Sequence, residues 1–475
     1  MVSLVESVQV EQRSVAQLEP IIGAQRHDRL VRVADHFRQN LAGHTIWNVS
    51  STAAGGGVAE MLHVLIGYAE DLGIPVQWRV ITGDAEFFVI TKRIHNQIHG
   101  ETAGGPLTGA DADHYARMLA ANAAELLEEI RPGDLVLLHD PQTAGLTRAL
   151  VRAGARVAWR CHIGVDWQND ATRGAWEFLR PQLEAAHGFV FTRREYVPDW
   201  IPGDRVAIIP PSIDPLSPKN QPLDADTVRG ILGRIGVLDG ATPDDRTSFA
   251  RSDGSVGFVT RYAEVTGEGR PGPADQLVVQ VSRWDQLKDM PGVMHGFAEY
   301  VVPAGNGYLI LVGPAVAGVT DDPEGAAVFG DCLLQWRELP AEARGRILLV
   351  TLPLDDADEN AAMVNALQRH AAVITQKSLA EGFGLTVAEG MWKGRPVVGS
   401  AVGGIIDQIA EGTGILLPDP RDLKTFGVAV RELLDDPAEA GRMGRAAQAY
   451  IREHYVGDVH LLRYADLFSS LIAEG

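Results

Sequence analysis

The stretch QKSLAEGFGLTVAEG, residues 376–390, decides how the chain is interpreted. It follows a short apolar run of strand type at 371–375 and has helical character from Leu385 onward, with a glycine turn between them that ends at Gly384. A strand that turns through glycines into a helix points backbone amides at one place, and such a helix N-terminus attracts anions. We therefore expect Gly384, Leu385 and Thr386 to form an anion site that suits a diphosphate.

Two carboxylates belong to this stretch. Glu381 lies within the glycine turn, and Glu389 follows one turn into the helix. Carboxylate oxygens accept hydrogen bonds from hydroxyl groups, so such a site can hold a diphosphate on amides and sugar hydroxyls on a carboxylate. The alternative interpretation is a helix capped by a glycine turn, with two solvated glutamates.

Strand-type runs alternate with helical segments along both halves of the chain. This alternation predicts parallel sheets covered by helices on both faces. The predicted strands are residues 44–50, 77–82, 134–139, 156–161, 188–192 and 206–209 in the first half, and 277–281, 308–312, 347–352, 371–375, 396–399 and 414–417 in the second.

The predicted architecture is an α/β fold of two Rossmann-like, doubly wound parallel-sheet domains that face each other across a cleft. The first domain is predicted at residues 1–208 and the second at 276–454. Residues 209–275, which begin with a proline-rich break and continue polar and acidic, are interpreted as a linker and an insertion. Ligands of open α/β sheets bind at the carboxyl ends of the strands, so the candidate residues are sought there.

Composition narrows the functional class. The chain has 475 residues, a net charge of -20 and a pI of about 5.1, which argues against a nucleic-acid surface or an anionic membrane as partner. Its start shows no signal-peptide pattern, and no run approaches the ~18 apolar residues of a membrane span. Two cysteines far apart suit a reducing compartment, so we expect a cytoplasmic protein.

Two cations follow the first strand of the second half. Arg283 and Lys288 lie in VSRWDQLKD, residues 281–289. Cations at the carboxyl end of a strand can neutralise a diphosphate and stabilise it as a leaving group. The alternative is a pair of solvated surface charges.

Polar residues also follow strands of the first half. His162 ends one strand and Asp140 follows another, and both are candidates for contact with sugar hydroxyls. Asp166, shortly after His162, is a weaker candidate. Glu86, at the start of a predicted helix, is a candidate for an acceptor pocket. A structural histidine and a solvated helix face are the alternatives.

Three successive glycines, residues 55–57, follow the first clear strand and permit close approach of a ligand to the backbone. They do not form G-x-G-x-x-G, so a dinucleotide site has little support. Motifs of serine hydrolases, zinc proteases and P-loop NTPases do not occur in the sequence.

Residues 282–289 and the two glutamates of 381–389 together resemble the retaining glycosyltransferases of family GT4, which have the GT-B fold. The resemblance spans nearly the whole chain. Four stretches of the first half are similar, more specifically, to the trehalose glycosyltransferring synthase family and to the related retaining trehalose phosphorylases. These are STAAGGGVAEML (51–62), GDAEFFVITKRIHN (83–96), LLHDPQ (137–142) and WRCHIGVD (159–166).

The resemblance implies a role for each candidate on the donor side. Arg283 and Lys288 would bind the donor diphosphate, Glu381 would bind hydroxyls of the donor glucose, and Glu389 would hold the ribose. The amides at Gly384 and Leu385 would lie near the donor.

On the first domain, the resemblance implies that Gly56, with Gly57 beside it, approaches the same diphosphate. His162 would touch the donor sugar near its anomeric carbon. The last segment, residues 455–475, would cross back to the first domain.

The implied activity is transfer of glucose, with retention, from a nucleoside-diphosphate glucose to free glucose, which forms the α,α-1,1 linkage of trehalose. The resemblance implies no cofactor and no metal, and it suggests a homodimer. A retaining trehalose phosphorylase, a related transferase with a modified acceptor sugar, and a sugar-binding protein without catalysis are the alternatives.

Overall fold

A computed structural model describes residues 3–54, 57–102, 104–240, 246–305, 307–316 and 323–473. Contacts divide the chain into two compact units: Met1–Ser212 with Tyr455–Gly475, and Ile213–His454. Each unit is an α/β structure with one large sheet.

The first unit contains a seven-stranded sheet in the order β1-β3-β2-β4-β5-β6-β7. All neighbours are parallel except β1, which pairs antiparallel with β3 at the edge. The strands are β1 (Val5–Ser7), β2 (Ile46–Ser50), β3 (Val76–Ile81), β4 (Leu135–His139), β5 (Arg156–Cys161), β6 (Gly188–Phe191) and β7 (Val206–Ile208).

Helices cover both faces of this sheet because its central strands are apolar on both sides. In β4, Val136 and Leu138 enter one core while Leu135 and Leu137 enter another. The helices are α1 (Glu19–Ile22), α2 (Ala24–Asn40), α3 (Gly57–Asp71), α4 (Ala85–Ile98), α5 (Gly109–Glu129), α6 (Asp140–Thr143), α7 (Thr147–Arg152) and α8 (Asp170–Leu183), with 3-10 turns at Val15–Leu18, Ala144–Leu146, Arg194–Tyr196 and Gly203–Arg205.

The second unit repeats this plan with a seven-stranded sheet in the order β10-β13-β12-β11-β14-β15-β16 and a separate hairpin of β8 and β9. Only β10 runs antiparallel within the large sheet. The strands are β8 (Ser248–Ala250), β9 (Val256–Phe258), β10 (Glu264–Thr266), β11 (Leu277–Val281), β12 (Tyr308–Pro314), β13 (Ile347–Leu352), β14 (Val373–Gln376), β15 (Val397–Ser400) and β16 (Ile415–Leu417).

The helices of the second unit alternate with these strands. They are α9 (Ala225–Arg234), α10 (Met290–Tyr300), α11 (Pro323–Glu338), α12 (Ala341–Arg344), α13 (Ala357–His370), α14 (Leu385–Trp392), α15 (Ile405–Gln408), α16 (Leu423–Asp435) and α17 (Pro437–His454), with 3-10 turns at Gln286–Lys288 and Val302–Ala304.

Residues 209–275 were expected to form a linker and insertion, but their described part belongs to the second unit from Ile213 onward. Their last strand, β10, extends the large sheet beside β13, and α9 packs on α13. The hairpin is attached by a bidentate ion pair from Arg251 to Asp356 at 2.8 and 3.1 Å. Residues 241–245 lie outside the described residues.

The last helix, α18 (Gly457–Ala473), belongs to the first unit and packs against α2 and α3. The rings of Phe468 and Phe37 stack at a centroid distance of 6.3 Å. At the start of α18, the buried carboxylate of Asp458 accepts two hydrogen bonds from Arg26, at 2.7 and 2.9 Å.

Each large sheet changes its direction of growth at one point. In the first unit this point lies between β2 and β4, and in the second it lies between β11 and β14. Loops leave such a pair of strands in opposite directions, so the carboxyl ends of the pair leave room for a ligand. Most candidate residues follow one of these four strands or the neighbouring β5.

Candidate active site

The glycine turn of the second unit joins β14 to α14 as predicted. Gly384 precedes the helix with a left-handed φ of 84°, which residues other than glycine adopt only at a cost. A Cβ there would lie 3.1 Å from Cγ of Glu381 and 3.3 Å from Cγ1 of Ile405. Leu385 and Thr386 are the first two residues of α14, and their amides therefore have no partner within the helix.

Lys288 and Glu381 form an ion pair at this turn. Nζ of Lys288 lies 2.7 Å from Oε2 of Glu381, and the two side chains are 14% and 12% exposed. The same carboxylate oxygen accepts a hydrogen bond from Oγ of Ser378 at 3.2 Å. The residue expected to bind the diphosphate and the one expected to bind sugar hydroxyls are thus in direct contact, across the point between β11 and β14.

Behind this pair lies a buried set of groups that the sequence did not predict. Lys377 is fully buried and forms an ion pair with Asp289, whose φ of 47° is left-handed. The side chain of Gln280 donates to the backbone oxygen of Lys288 at 2.8 Å and accepts from the amide of Lys377 at 3.2 Å. These bonds fix the backbone on both sides of the Lys288–Glu381 pair.

Arg283 differs from Lys288 in its exposure. Its side chain is 69% exposed and donates to Oδ2 of Asp285 at 3.0 Å. It follows β11 at the same sheet edge as Lys288. A guanidinium in this position is accessible to an anionic ligand.

Glu389 lies buried in α14, and the interpretation as a solvated glutamate is therefore wrong. Nζ of Lys219 approaches its Oε1 at 3.7 Å. One turn later, burial lowers the pKa of Lys393 to about 7, although the nearby Glu389 acts to raise it. The amine of Lys393 donates to Oδ1 of Asn220 at 2.9 Å and to Oε1 of Gln368 at 2.7 Å.

In the first unit, the candidate residues lie at the ends of β4 and β5. Asp140 begins α6 with a left-handed φ of 64°, which is unusual for aspartate and common where function constrains a backbone. Its Oδ1 accepts a hydrogen bond from the backbone N–H of His162 at 2.8 Å. Burial raises the pKa of Asp140 to about 6, against the lowering effects of that hydrogen bond and of Arg160.

His162 is hydrogen-bonded to a second histidine. Its Nε2 lies 3.0 Å from Nδ1 of His139, and Nε2 of His139 lies 3.2 Å from Oδ1 of Asn48. Burial and the nearby Arg160 hold the pKa of His162 well below its ordinary value and lower that of His139 to about 3. Both imidazoles are therefore neutral at physiological pH.

Arg160 is a fully buried cation in the middle of this group. Its Nε donates to Nδ1 of His162 at 3.2 Å, and its Nη2 donates to the backbone oxygen of Ile209 at 3.1 Å. Its Nη1 contacts two residues of α18, Nε2 of His460 at 3.3 Å and the hydroxyl of Tyr464.

Arg160 was not predicted from the sequence, because its partners His460 and Tyr464 lie about three hundred positions away. One signal was available, since Arg160 interrupts an apolar strand of a sheet expected to be covered on both faces. A cation in that position requires buried hydrogen-bond acceptors.

The remaining candidates of the first unit lie apart from this cluster or outside the described residues. Asp166 forms an ion pair with Arg193 on the loop after β5. Glu86 lies in the first turn of α4 with a side chain 68% exposed, 3.5 Å from Nδ1 of His114. Gly57 is the first residue of α3, and Gly56 is outside the described residues.

Within the described ranges, no group of three or more His, Cys, Asp or Glu residues is arranged to hold a metal ion. None of the described helices has the length and apolar character that crossing a membrane requires.

Two family models match the chain, one in each unit. Residues 48–198 match the N-terminal domain of trehalose synthase, and residues 357–450 match the glycosyl transferases group 1. The first match contains β4 and β5 with His139, Arg160 and His162. The second contains the glycine turn with both of its glutamates.

Curated trehalose synthases match nearly the whole chain. The trehalose synthase of Pyrococcus horikoshii is 33% identical over 97% of this chain and 97% of its own length. The trehalose synthase of Rubrobacter xylanophilus is 33% identical over 99% of this chain and 100% of its own length. A trehalose phosphorylase of Pleurotus pulmonarius is 25% identical over 92% of this chain but only 58% of its own length.

Solved structures show the same fold. A UDP-forming α,α-trehalose-phosphate synthase from Burkholderia xenovorans matches with a TM-score of 0.66 at 16% identity, over 90% of this chain and 99% of that one. Sucrose-phosphate synthase from Thermosynechococcus elongatus matches with a TM-score of 0.62 at 19% identity, over 91% and 100%. These matches confirm the predicted GT-B fold. The chain therefore belongs to the trehalose synthase family of hexose-transferring glycosyltransferases.

Proposed function

We propose that this protein transfers glucose, with retention, from a nucleoside-diphosphate glucose to free glucose and so forms trehalose. The observation that carries the proposal is the Lys288–Glu381 pair at the N-terminus of α14. It combines a cation, a carboxylate and helix amides at the carboxyl ends of β11 and β14, which suits a ligand with both a diphosphate and sugar hydroxyls.

The leaving group is stabilised by the protein. The bond between the anomeric carbon and the diphosphate oxygen breaks, and its electron pair leaves with the diphosphate. Arg283, Lys288 and the amides at the start of α14 offset the charge that develops there. We propose that no bound metal is required, because these groups supply the positive charge.

The acceptor hydroxyl attacks the anomeric carbon on the face that the diphosphate leaves. Its proton passes to the departing phosphate oxygen, so the new glycosidic bond keeps the configuration of the donor. No protein nucleophile takes part. In this proposal Glu381 holds hydroxyls of the donor glucose, Glu389 holds the ribose, and His162 and Asp140 contact sugar hydroxyls from the first unit.

The similarity to a trehalose phosphorylase favours one alternative, in which inorganic phosphate replaces the nucleotide. A site that stabilises a diphosphate can also bind phosphate, and the same front-face chemistry would then cleave trehalose to glucose and glucose 1-phosphate.

Release of nucleoside diphosphate distinguishes the two functions. The purified protein is mixed with UDP-, ADP- or GDP-glucose, with and without glucose, and separately with trehalose and phosphate. We expect nucleoside diphosphate to appear only when glucose is added. If glucose 1-phosphate forms from trehalose and phosphate, and no nucleotide donor releases nucleoside diphosphate, the protein is a phosphorylase and the proposed synthase is rejected.

A further inference from the structure

The buried guanidinium of Arg160 determines where the hydrogens lie on the histidines around it. An arginine N–H can only donate, so Nδ1 of His162, 3.2 Å from Nε of Arg160, carries no hydrogen. Neutral His162 must then carry its hydrogen on Nε2, which donates to Nδ1 of His139 at 3.0 Å. His139 consequently carries its hydrogen on Nε2 and donates to Oδ1 of Asn48 at 3.2 Å.

Arg160 also fixes the tautomer of a histidine on the last helix. Nη1 of Arg160 donates to Nε2 of His460 at 3.3 Å, so His460 carries its hydrogen on Nδ1 and donates to Oγ of Ser212 at 2.8 Å. The hydroxyl of Tyr464 accepts a further hydrogen bond from Nη1. One cation thus assigns the tautomers of three histidines, and two residues of α18 hold that cation in place.

Protonation of either histidine at the sheet edge would break this chain of hydrogen bonds. A hydrogen on Nδ1 of His162 would face the Nε–H of Arg160, and a hydrogen on Nδ1 of His139 would face the Nε2–H of His162. The charged and titratable groups that face His162 are Arg160 on β5, His139 and Asp140 at the end of β4, and His460 on α18.

We propose that Arg160, supported by His460 and Tyr464, is a positioning residue that keeps His162 neutral and protonated on Nε2. This inference rests on the proposed function, in which His162 lies near the anomeric carbon. Positive charge develops on that carbon as the diphosphate leaves, so an imidazolium beside it would oppose the reaction. The neutral ring carries no such charge, and its Nε2–H stays donated to Nδ1 of His139.

The test combines nuclear magnetic resonance with kinetics on the full chain. Long-range 1H–15N spectra of protein labelled with 15N-histidine report the tautomer of each ring, and His162→Gln and His139→Gln identify the two signals. In the native protein we expect both rings to be neutral and protonated on Nε2 from about pH 5.5 to 8. An Nδ1-protonated or charged His162 in that range would overturn the proposal.

Arg160→Lys keeps the charge but replaces the fork by a single ammonium, which cannot reach His162 and His460 together. We expect His162 to populate the other tautomer in part, because no N–H donor then fixes Nδ1, while burial still opposes protonation of the ring. We also expect kcat for sugar transfer to fall about 10-fold. An unchanged tautomer of His162 in this variant would contradict the proposal.

Tyr464→Phe provides a second variant if Arg160→Lys does not fold, because it removes only the hydroxyl and retains the ring. The same changes are expected in smaller degree. Ser470→Ala, on the same helix, is the matched control and should leave the spectra and rates unchanged. The spectra require no turnover. Inactivity on every nucleotide donor would therefore reject the proposed function, while the tautomers seen in the spectra would still decide the role of Arg160.

Discussion

The two candidate cations of the second unit lie in different surroundings, and this difference predicts different effects of their removal. Arg283→Ala removes a cation that stabilises the leaving diphosphate, so turnover should fall about 100–1000-fold. Because this side chain is exposed, Tm should change little. Lys288→Ala should lower turnover similarly and also lower the free energy of unfolding by about 1–3 kcal/mol, because it leaves the mostly buried Glu381 without its ion pair.

Steady-state kinetics with the nucleotide donor and thermal unfolding measure these two effects separately. Lys424→Ala removes an exposed lysine of the same unit and is the control for loss of charge. Near-native turnover in both Arg283→Ala and Lys288→Ala would show that the donor diphosphate does not bind at this sheet edge.

Asp140 predicts a pH dependence of the reaction. Burial raises its pKa to about 6, and the ionised carboxylate is the form that accepts hydrogen bonds from sugar hydroxyls. We therefore expect kcat/KM to rise as the pH increases through about 6. The folded state holds this proton more tightly than the unfolded chain, so the stability that Asp140 contributes is fully present below its ordinary pKa of 3.8 and is lost as the pH rises through about 6.

Asp140→Asn tests this assignment, because an amide does not titrate. The rise in kcat/KM near pH 6 should disappear in this variant, and it should persist in the control Asp170→Asn, whose side chain is 98% exposed in the native protein. A rise of the same size in Asp140→Asn would assign the titration to another group.

At the scale of the element, helix α14 is preceded by a left-handed glycine, Gly384, and followed after Lys393 by another, Gly394. Substitutions at these two positions provide a matched comparison. Gly384 has φ 84° and Gly394 has φ 72°. Alanine at either position should cost about 1–2 kcal/mol of stability, since L-residues are strained in this conformation.

Only Gly384→Ala should also raise the KM for the nucleotide donor, because its Cβ would press on Glu381 and displace the turn. A Cβ at Gly394 meets its nearest neighbour, the oxygen of Gly444, at 3.9 Å. An equal KM for the donor in both variants would show that the turn before α14 does not bind it.

The hairpin of β8 and β9 should make the second unit sensitive to acid. The Arg251 guanidinium, together with the amide of Glu359, lowers the pKa of Asp356 from its ordinary 3.8 to about 2. The stability from this carboxylate is therefore present above about pH 4 and is lost as the pH falls through 2. Because water reaches the pair, its contribution is about 1 kcal/mol.

Asp356→Asn should lower the free energy of unfolding by that amount at pH 6 and by less at pH 3, as measured by chemical denaturation at both values. Asp355→Asn, at the exposed neighbouring position, is the control. A difference that stays constant with pH would show that the ion pair does not attach the hairpin.

The parallel strands were predictable from the sequence, but the antiparallel edge strands were not. Runs such as 347–352 are almost entirely apolar because both faces of the sheet are covered, and the structure places β13 over those residues. Strands β1 and β10 have three residues each, all exposed or half-buried, so they carry no such signal. Their position depends on the neighbouring strand, which local sequence does not specify.

At the scale of the whole molecule, the plan of two α/β halves follows from the alternation of strands and helices, and the resemblance added the GT-B fold. The residues at the glycine turn were found because their spacing is local. Arg160 was not found, because its role depends on His460 and Tyr464, which the fold alone brings to it. Residues 209–275 were interpreted as a linker and an insertion, since a polar composition does not indicate the ion pairs that hold their greater part in the second unit.

The proposed reaction makes an α,α-1,1 glucose disaccharide from a nucleotide donor. The most direct test is NMR analysis of the products formed from α-linked UDP-, ADP- or GDP-glucose with free glucose labelled with 13C at its anomeric carbon. We expect trehalose with one labelled and one unlabelled glucose, both in the α configuration, from at least one donor. A β-linked product, or another linkage, would contradict the retaining synthase proposed for this chain.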